Sequence, residues 1–200
     1  TNEAAIKLNF NVATNGTPVR IVSGSNTQDI TVNTNWYGTA SYTADGTTMT
    51  VYGDITEFMC QENRANLTAI DLSHNTQLNT LYCNDNNLTA LDLSHNTQLS
   101  RLDCSYNNLT TLDVSGCTQL NSLSCNNSNL TALDLSHNTQ LTSLYCSNNN
   151  LTALDLSHNT QLNILECHSN NFSTAALDDI YCSLPDKTGI INGEIYPLEN

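Results

Sequence analysis

A repeat of 21 residues dominates the middle of the chain. One unit, from Leu78 to Gln98, reads LNTLYCNDNNLTALDLSHNTQ, and its first eleven residues follow the pattern LxxLxCxxNxL. The cysteine of this pattern recurs every 21 residues, and one further cysteine stands 23 residues before the series; the six positions are Cys60, Cys83, Cys104, Cys125, Cys146 and Cys167. Self-similarity at a fixed period of this length is typical of a solenoid, in which each unit forms one coil.

The alternation of apolar and polar residues within one unit predicts a short strand in each coil. In the segment Leu81-Tyr82-Cys83-Asn84, a strand places Leu81 and Cys83 on one face and Tyr82 and Asn84 on the other. The remaining leucines turn inward, and a single coil cannot bury them alone. Stacked coils place successive strands about 4.8 Å apart in a parallel sheet. We therefore predict an α/β-type solenoid that is mostly β.

Two columns of asparagine mark the turns of the coil. The first column, where each strand ends, contains Asn86, Asn107, Asn149 and Asn170, with Ser128 in the place of one member. The second contains Asn75, Asn96, Asn138 and Asn159, with Cys117 as its exception. An inward amide can satisfy backbone groups of its own coil and of the next, which a buried turn requires. We expect the first column and the six repeated cysteines to be structural ladders.

The unit resembles the internalin-like leucine-rich repeats of bacterial surface proteins, in the 21-residue variety with a cysteine ladder. The resemblance covers residues 55–172, about five and a half units, and rests on the period, the leucine positions, the cysteine and the asparagine together. It implies a right-handed leucine-rich-repeat horseshoe with a concave parallel sheet, a secreted or cell-surface location and a role in binding or adhesion. It implies no catalytic residues.

The segments on either side of the repeat lack it, and we predict that they are caps that cover the ends of the solenoid. Residues 1–54 alternate between apolar and polar positions in four runs, namely Ile6–Phe10, Val19–Ile21, Ile30–Val32 and Met49–Tyr52. Runs of this kind predict a β-rich cap of about four strands.

Residues 173–200 predict a C-terminal cap made of a helix and a strand. Ser173 or Thr174 can cap a helix over about 175–184, and Pro185 ends it. The apolar positions at helical spacing are Leu177, Ile180, Tyr181 and Leu184. A last short strand is predicted near residues 194–196.

The charge of the chain limits the kinds of partner that it can bind. Five Lys and Arg against nineteen Asp and Glu leave a formal charge of −14. So acidic a surface repels phosphate backbones and anionic lipids, so we expect no nucleic-acid partner. No apolar run is long enough to cross a bilayer, and we expect no direct membrane insertion. We expect an exported monomer whose leader is not part of this chain. A cationic partner or a neutral sugar is easier to accommodate than an anionic partner.

The cysteines could in principle bind metal, form disulfides or act as nucleophiles. Four zinc ligands converge tetrahedrally rather than in a line. Parallel side chains in register also have the wrong torsion for disulfides. We interpret the ladder as small core hydrophobes; Cys117 and Cys182 lie outside it and are the candidates for separate chemistry.

The sequence Asp-Leu-Ser-His occurs four times, over residues 71–74, 92–95, 134–137 and 155–158. It contains the residue types of a catalytic triad, but consecutive residues on a strand do not converge as a triad requires. We therefore predict no enzyme. The stacked Asp and His columns could also hold a cation; we prefer solvated turn residues, and predict no metal and no cofactor.

The outward face of the strands is where the units differ, and it is the predicted binding site. Exposed Tyr and Arg are enriched at binding hot spots. The candidate residues are Tyr82, Arg101, Asp103, Tyr106, Tyr145, Glu166 and His168, and the same face is predicted to present Thr80, Ser105 and Ser147. We expect this concave face to bind a protein partner; binding of a neutral glycan, such as mucin or a polysaccharide, and a structural spacer remain as alternatives.

Overall fold

The computed structural model describes residues 5–34, 40–43, 48–63, 67–184 and 194–195. Most of the regular structure is strand. In chain order the elements are β1 (Ala5–Val12), β2 (Thr17–Ser23), β3 (Asn26–Val32), β4 (Ala40–Thr43), β5 (Thr48–Tyr52), β6 (Ile55–Met59), β7 (Ala69–Asp71), β8 (Thr80–Tyr82), β9 (Arg101–Asp103), β10 (Ser122–Ser124), β11 (Ser143–Tyr145), β12 (Ile164–Glu166), α1 (Thr174–Ser183) and β13 (Glu194–Ile195).

The repeats form the predicted solenoid. Strands β6 and β8 to β12 pair in parallel, one strand from each successive coil, and β13 adds to β12 at the end. Equivalent positions of the repeat lie opposite one another, so Leu81 pairs with Leu102 and Leu123 pairs with Leu144. The fold predicted from the sequence, a mostly β leucine-rich-repeat solenoid, is confirmed.

The core of the solenoid is built from leucine and cysteine columns. The repeated leucines are at most 8% exposed, and the ladder cysteines are at most 7% exposed. All eight cysteines are free, and Cys182 alone is exposed. Burial raises the pKa of the thiols of Cys117 and Cys167 to about 11 and that of the more deeply buried ladder thiols further. These thiols remain protonated at neutral pH and pack as small apolar groups.

The first asparagine column ties each coil to the coil before it. The side-chain amide of Asn86 donates to the carbonyls of Cys60 and Cys83 at 2.9 and 2.8 Å, and its Oδ1 accepts from the backbone N of Asn63 at 3.1 Å. The same bridging pattern recurs at Asn107, Asn149 and Asn170. The expected link to the next coil is therefore wrong in direction, because the amide reaches the strand-end carbonyl of the preceding coil.

The N-terminal region continues both sides of the solenoid. β1 pairs antiparallel with β6 and β4, which extends the strand side into a nine-stranded sheet. β3, β2 and β5 form a second sheet, which β7 of the first coil joins in parallel. Between the sheets, the rings of Phe10 and Phe58 stack with centroids 4.9 Å apart. Five described strands precede the first coil rather than about four, because β4 has no apolar run long enough to predict it.

The other end of the solenoid carries α1 and β13. The Oγ of Ser173 accepts from the backbone N of Ala176 at 3.1 Å and caps the helix. Ile180 is buried and packs on the last coil with Leu177 and Leu184 beside it, whereas Tyr181 is 51% exposed and does not share that face. β13 lies beside β12, where the last strand is predicted; Pro185 and Tyr196 lie outside the described residues.

Candidate functional site

The outward side chains of β8 to β12 form a polar surface, which we call the sheet face. Strand register places five of them in one line across the coils: Tyr82, Asp103, Ser124, Tyr145 and Glu166. Neighbours in this line are about 4.8 Å apart at the backbone. Each tyrosine therefore has an acidic residue beside it, and Ser124 separates the two tyrosine–acid pairs.

Arg101 supplies the positive charge of this surface. It lies in the neighbouring line of outward positions, between Thr80 and Ser122, and on the same face of β9 as Asp103. Its side chain is exposed. Within the described ranges the one ion pair joins Arg20 to Asp29 on the opposite sheet, so the Arg101 guanidinium faces solvent.

The sheet face is narrower than the alternation of residues predicts. Thr80, Ser105 and Ser147 are 8%, 5% and 2% exposed, so the prediction that they face solvent is wrong. Each is engaged by its own or the neighbouring coil: Thr80 Oγ1 donates to Asn79 Oδ1 at 2.8 Å, Ser105 Oγ accepts from the backbone N of Asn126 at 3.2 Å, and the backbone N of Ser147 donates to Asn126 Oδ1 at 2.7 Å. The exposed surface is thus limited to the two lines of strand residues, without Thr80, and to the residue three positions after each strand.

The residue three positions after the strand has a left-handed backbone in every coil. The φ angles lie between 54° and 63° at Glu62, Asp85, Tyr106, Asn127, Asn148 and Ser169. Asn and Asp tolerate this region better than other side chains, and a bulky residue there is an outlier. Tyr106 is that outlier, and it is also the most exposed large apolar side chain of the described residues, at 59%.

The backbone of Tyr106 is held in place while its ring is free of the core. Its N donates to the carbonyl of Asn126 at 2.8 Å, and its own carbonyl accepts from the N of Asn86 at 3.2 Å. These bonds to both neighbouring coils hold the left-handed backbone, whose cost of about 1 kcal/mol no packing of the ring offsets.

The predicted site residues fall into two groups on the sheet face. Tyr82, Arg101, Asp103 and Tyr106 belong to two neighbouring coils, and Tyr145, Glu166 and His168 belong to two coils further along. The coil between them presents Ser122 and Ser124. His168 is half-buried, and its Nδ1 lies 3.2 Å from the hydroxyl of Ser169.

The aspartate column on the opposite side of each coil shapes turns. Asp92, Asp134 and Asp155 each accept a hydrogen bond of 2.9 Å from the backbone N of the serine two residues later. Such bonds hold the pKa of these carboxyls below the usual Asp value. A carboxylate engaged in its own turn orders the chain locally.

The same geometry argues against a catalytic triad in the Asp-Leu-Ser-His segments. The hydroxyl of Ser94 lies 3.0 Å from His95 Nδ1, while the carboxylate of Asp92 binds the serine and not the imidazole. A triad needs the carboxylate on the far nitrogen of the histidine, where it orients the base. In the part of the chain that the structure describes, no group of three or more His, Cys, Asp or Glu residues is arranged to hold a metal ion.

Sequence reasoning missed a groove of about 820 Å³ on the outer face of the second sheet, away from the sheet face. Arg20, Asp29 and Tyr52 line it with Pro18, Val22 and other neighbours. The three residues are far apart in sequence and meet only through the antiparallel register of β3, β2 and β5. The alternation of exposed positions in β2 and β5 was the one available signal.

Within the described ranges, no helix combines the length and the hydrophobicity that a transmembrane span needs.

One buried leucine-rich coil after another, each contributing a strand to a parallel sheet, defines the class of leucine-rich-repeat proteins. The Leucine Rich repeat family model matches residues 84–100, 126–143 and 147–163. With its row of buried cysteines, this chain is similar to the leucine-rich-repeat region of the internalins.

Two solved structures from Listeria monocytogenes support that description. The functional domain of InlJ, which includes a cysteine ladder, is 37% identical over 62% of this chain, with a TM-score of 0.54. The internalin InlF of strain 4b F2365 is 25% identical over 58% of this chain, with a TM-score of 0.51. The matched regions span about a third of those two chains, 32% and 37% of their lengths. No curated protein matches the chain in sequence at a significant level.

Proposed function

We propose that this chain is a non-enzymatic binding module that holds a protein partner on the sheet face, at the group formed by Tyr82, Arg101, Asp103 and Tyr106. The observation that carries the proposal is Tyr106, a 59% exposed ring on a left-handed backbone. Nothing in the core requires an aromatic residue there, and an asparagine, as in the two following coils, would fit the backbone better. Unfavourable backbone conformations of this kind concentrate at functional sites.

The charge pattern of the face favours a partner with basic side chains. Asp103 and Glu166 each stand beside a tyrosine, and a tyrosine–carboxylate pair suits an arginine or lysine, which can contact the ring and the acid together. The formal charge of −14 attracts a basic partner surface toward this chain before contact. Arg101 then pairs with an acidic residue of the partner and fixes its orientation.

The lack of chemistry in the repeats supports a binding role rather than catalysis. The buried thiols have raised pKa values, and the serine hydroxyls lie beside histidines that lack an orienting carboxylate. We infer an extracellular or cell-surface location, in keeping with the internalin-like fold. Adhesion is the role that such a location and such a surface support best.

The test compares Tyr106→Asn with the matched control Tyr181→Asn, which removes an exposed ring from α1. Proteins captured from epithelial-cell extract by the immobilised chain are purified, and their affinities are measured by calorimetry. We expect Tyr106→Asn to weaken binding at least about tenfold and to raise the free energy of unfolding by about 1 kcal/mol, with the control unchanged in both.

Two results would count against the proposal. An affinity that Tyr106→Asn leaves unchanged would remove this part of the sheet face from the interface. Failure to capture any protein from extract would favour the structural spacer instead.

A further inference from the structure

The groove on the outer face of the second sheet is lined by two lines of outward side chains. In the first line Asp29, Arg20 and Tyr52 are cross-strand neighbours on β3, β2 and β5. In the second line Val22 lies beside Thr27. The groove therefore has one ring, one planar ion pair and a few small side chains, a mixture of apolar and polar groups typical of ligand sites.

Gly53 lets the chain pass close to β2 at the end of the groove beside Tyr52. Its φ angle is 130°, and a Cβ at this position would lie 2.7 Å from the carbonyl oxygen of Pro18. A larger residue would therefore displace the backbone of β2 as well as adopt an unfavourable conformation. The position of β2 beside Tyr52 depends on the glycine.

The ion pair offers hydrogen bonds without net charge. Arg20 Nε donates to Asp29 Oδ1 at 2.6 Å, and Nη2 donates to Oδ2 at 3.0 Å. Through these bonds the guanidinium holds the pKa of the Asp29 carboxyl below its usual value, so both groups stay ionised at neutral pH. The remaining N–H groups and oxygen lone pairs form a planar array of donors and acceptors for a polar ligand.

The ring of Tyr52 is fixed before any ligand arrives. It packs on the imidazole of His74 from the first coil, with centroids 4.5 Å apart and planes tilted by 32°. The ring is 37% exposed and lines the groove. An aromatic ring whose orientation is already set loses little entropy when a flat apolar surface stacks on it.

We propose that this groove binds a neutral saccharide, with a sugar ring on Tyr52 and its hydroxyl groups on Arg20 and Asp29. A saccharide has apolar C–H faces and hydroxyl groups that both donate and accept, which is the complement of the ring and the ion pair. An anionic ligand would have to separate Arg20 from Asp29 and approach a chain of charge −14. A peptide that adds a strand to this sheet would pair with the outer edge of β3 and not with the groove floor, because β2 already pairs on both sides. The site is separate from the sheet face and does not depend on the function proposed for it.

The test uses the full 200-residue chain and neutral hexasaccharides of glucose, xylose, mannose, galactose and N-acetylglucosamine, with a heparin hexasaccharide as the anionic control. Binding is followed by calorimetry and by chemical-shift changes in the ¹⁵N-labelled protein. We expect at least one neutral sugar to bind and to shift the amides of β2, β3 and β5. Tyr52→Ala should weaken that binding at least about tenfold, Tyr52→Phe should keep most of it, and Tyr181→Ala should leave it unchanged.

Mapping on the unmodified protein keeps the test independent of any variant that fails to fold. No binding by any neutral sugar, shifts confined to the sheet face, stronger binding of the heparin fragment, or full affinity in a folded Tyr52→Ala variant would each overturn the proposal.

Discussion

The repeats and the N-terminal region bury similar apolar side chains but join their strands by different means. In the repeats strands β8 to β12 are three residues long, and side-chain amides such as that of Asn149 donate hydrogen bonds to their own coil and to the preceding one. In the N-terminal region strands of up to eight residues pair through their backbones, and aromatic rings fill the space between two sheets. The repeats therefore depend on many equivalent small contacts, and the N-terminal region depends on a few large ones.

The largest effect is expected where the two regions meet. Phe58→Ala removes a fully buried ring that stacks on Phe10, and we expect it to lower the free energy of unfolding by about 3–5 kcal/mol. Hydrogen exchange should rise in β1, β4 and β6 and stay unchanged in β11 and β12, because a solenoid couples only neighbouring units. Exchange that rises equally in all strands would show that the regions do not differ as described. Tyr181→Ala, an exposed control, should change stability by less than about 0.5 kcal/mol.

A smaller effect is expected from the asparagine ladder, where a matched pair of variants tests one contact in both directions. Asn149→Ala leaves two carbonyls and one backbone N–H without their partner, and should destabilise the fold by about 2–4 kcal/mol. Ser128 occupies the equivalent position one coil earlier, and its buried hydroxyl has no hydrogen-bond partner among the described residues. Ser128→Asn should therefore stabilise the fold by about 1–2 kcal/mol. Urea unfolding measures both, and a destabilising Ser128→Asn would mean that this coil has no room for the amide.

The smallest effect is expected from acidification, which should destabilise the repeats before strand β1 of the N-terminal region. The folded-state pKa values of Asp92, Asp113, Asp134 and Asp155 lie below the usual value because of hydrogen bonds from nearby serines. Stability from these bonds is complete above the unfolded-state pKa and is lost as the pH falls through the lower folded-state values. The melting temperature should thus be flat near neutral pH and fall below about pH 4. NMR signals of the repeats should broaden before those of β1, which has no carboxyl side chain, and Asp92→Asn should reduce the fall. An identical fall in the variant would rule out this origin.

The repeats could be predicted from the sequence because each position recurs in the same environment. The columns of leucine, cysteine and asparagine fix which residues face inward, so the strands and their register follow from the period alone. The direction of the amide bridge cannot be predicted from the period, since the sequence does not show which neighbouring coil the amide reaches. Alternation predicts that Thr80 and Ser105 face outward, yet both are buried.

The candidate sites were partly hidden for a related reason. Asp and Asn, as at Asp85, Asn127 and Asn148, often adopt a left-handed backbone. Tyr106 occupies the same position of the repeat, but a tyrosine does not indicate that conformation. The groove was invisible because Arg20 and Tyr52 are brought together by an antiparallel register that no repeat encodes. A site that depends on pairing across a sheet therefore needs the three-dimensional structure to be seen, whereas Tyr106 is already a candidate from the sequence.

The burial of the cysteine ladder has a practical consequence. Seven thiols are enclosed in the folded chain, and Cys182 on the surface of α1 is the eighth. A maleimide reagent therefore attaches one dye or one biotin per native molecule, at the helical end of the solenoid, and leaves both proposed binding surfaces unmodified. Under gentle denaturation the number of labelled thiols reports how much of the solenoid has opened, with one thiol for each coil and two for the coil that contains Cys104 and Cys117.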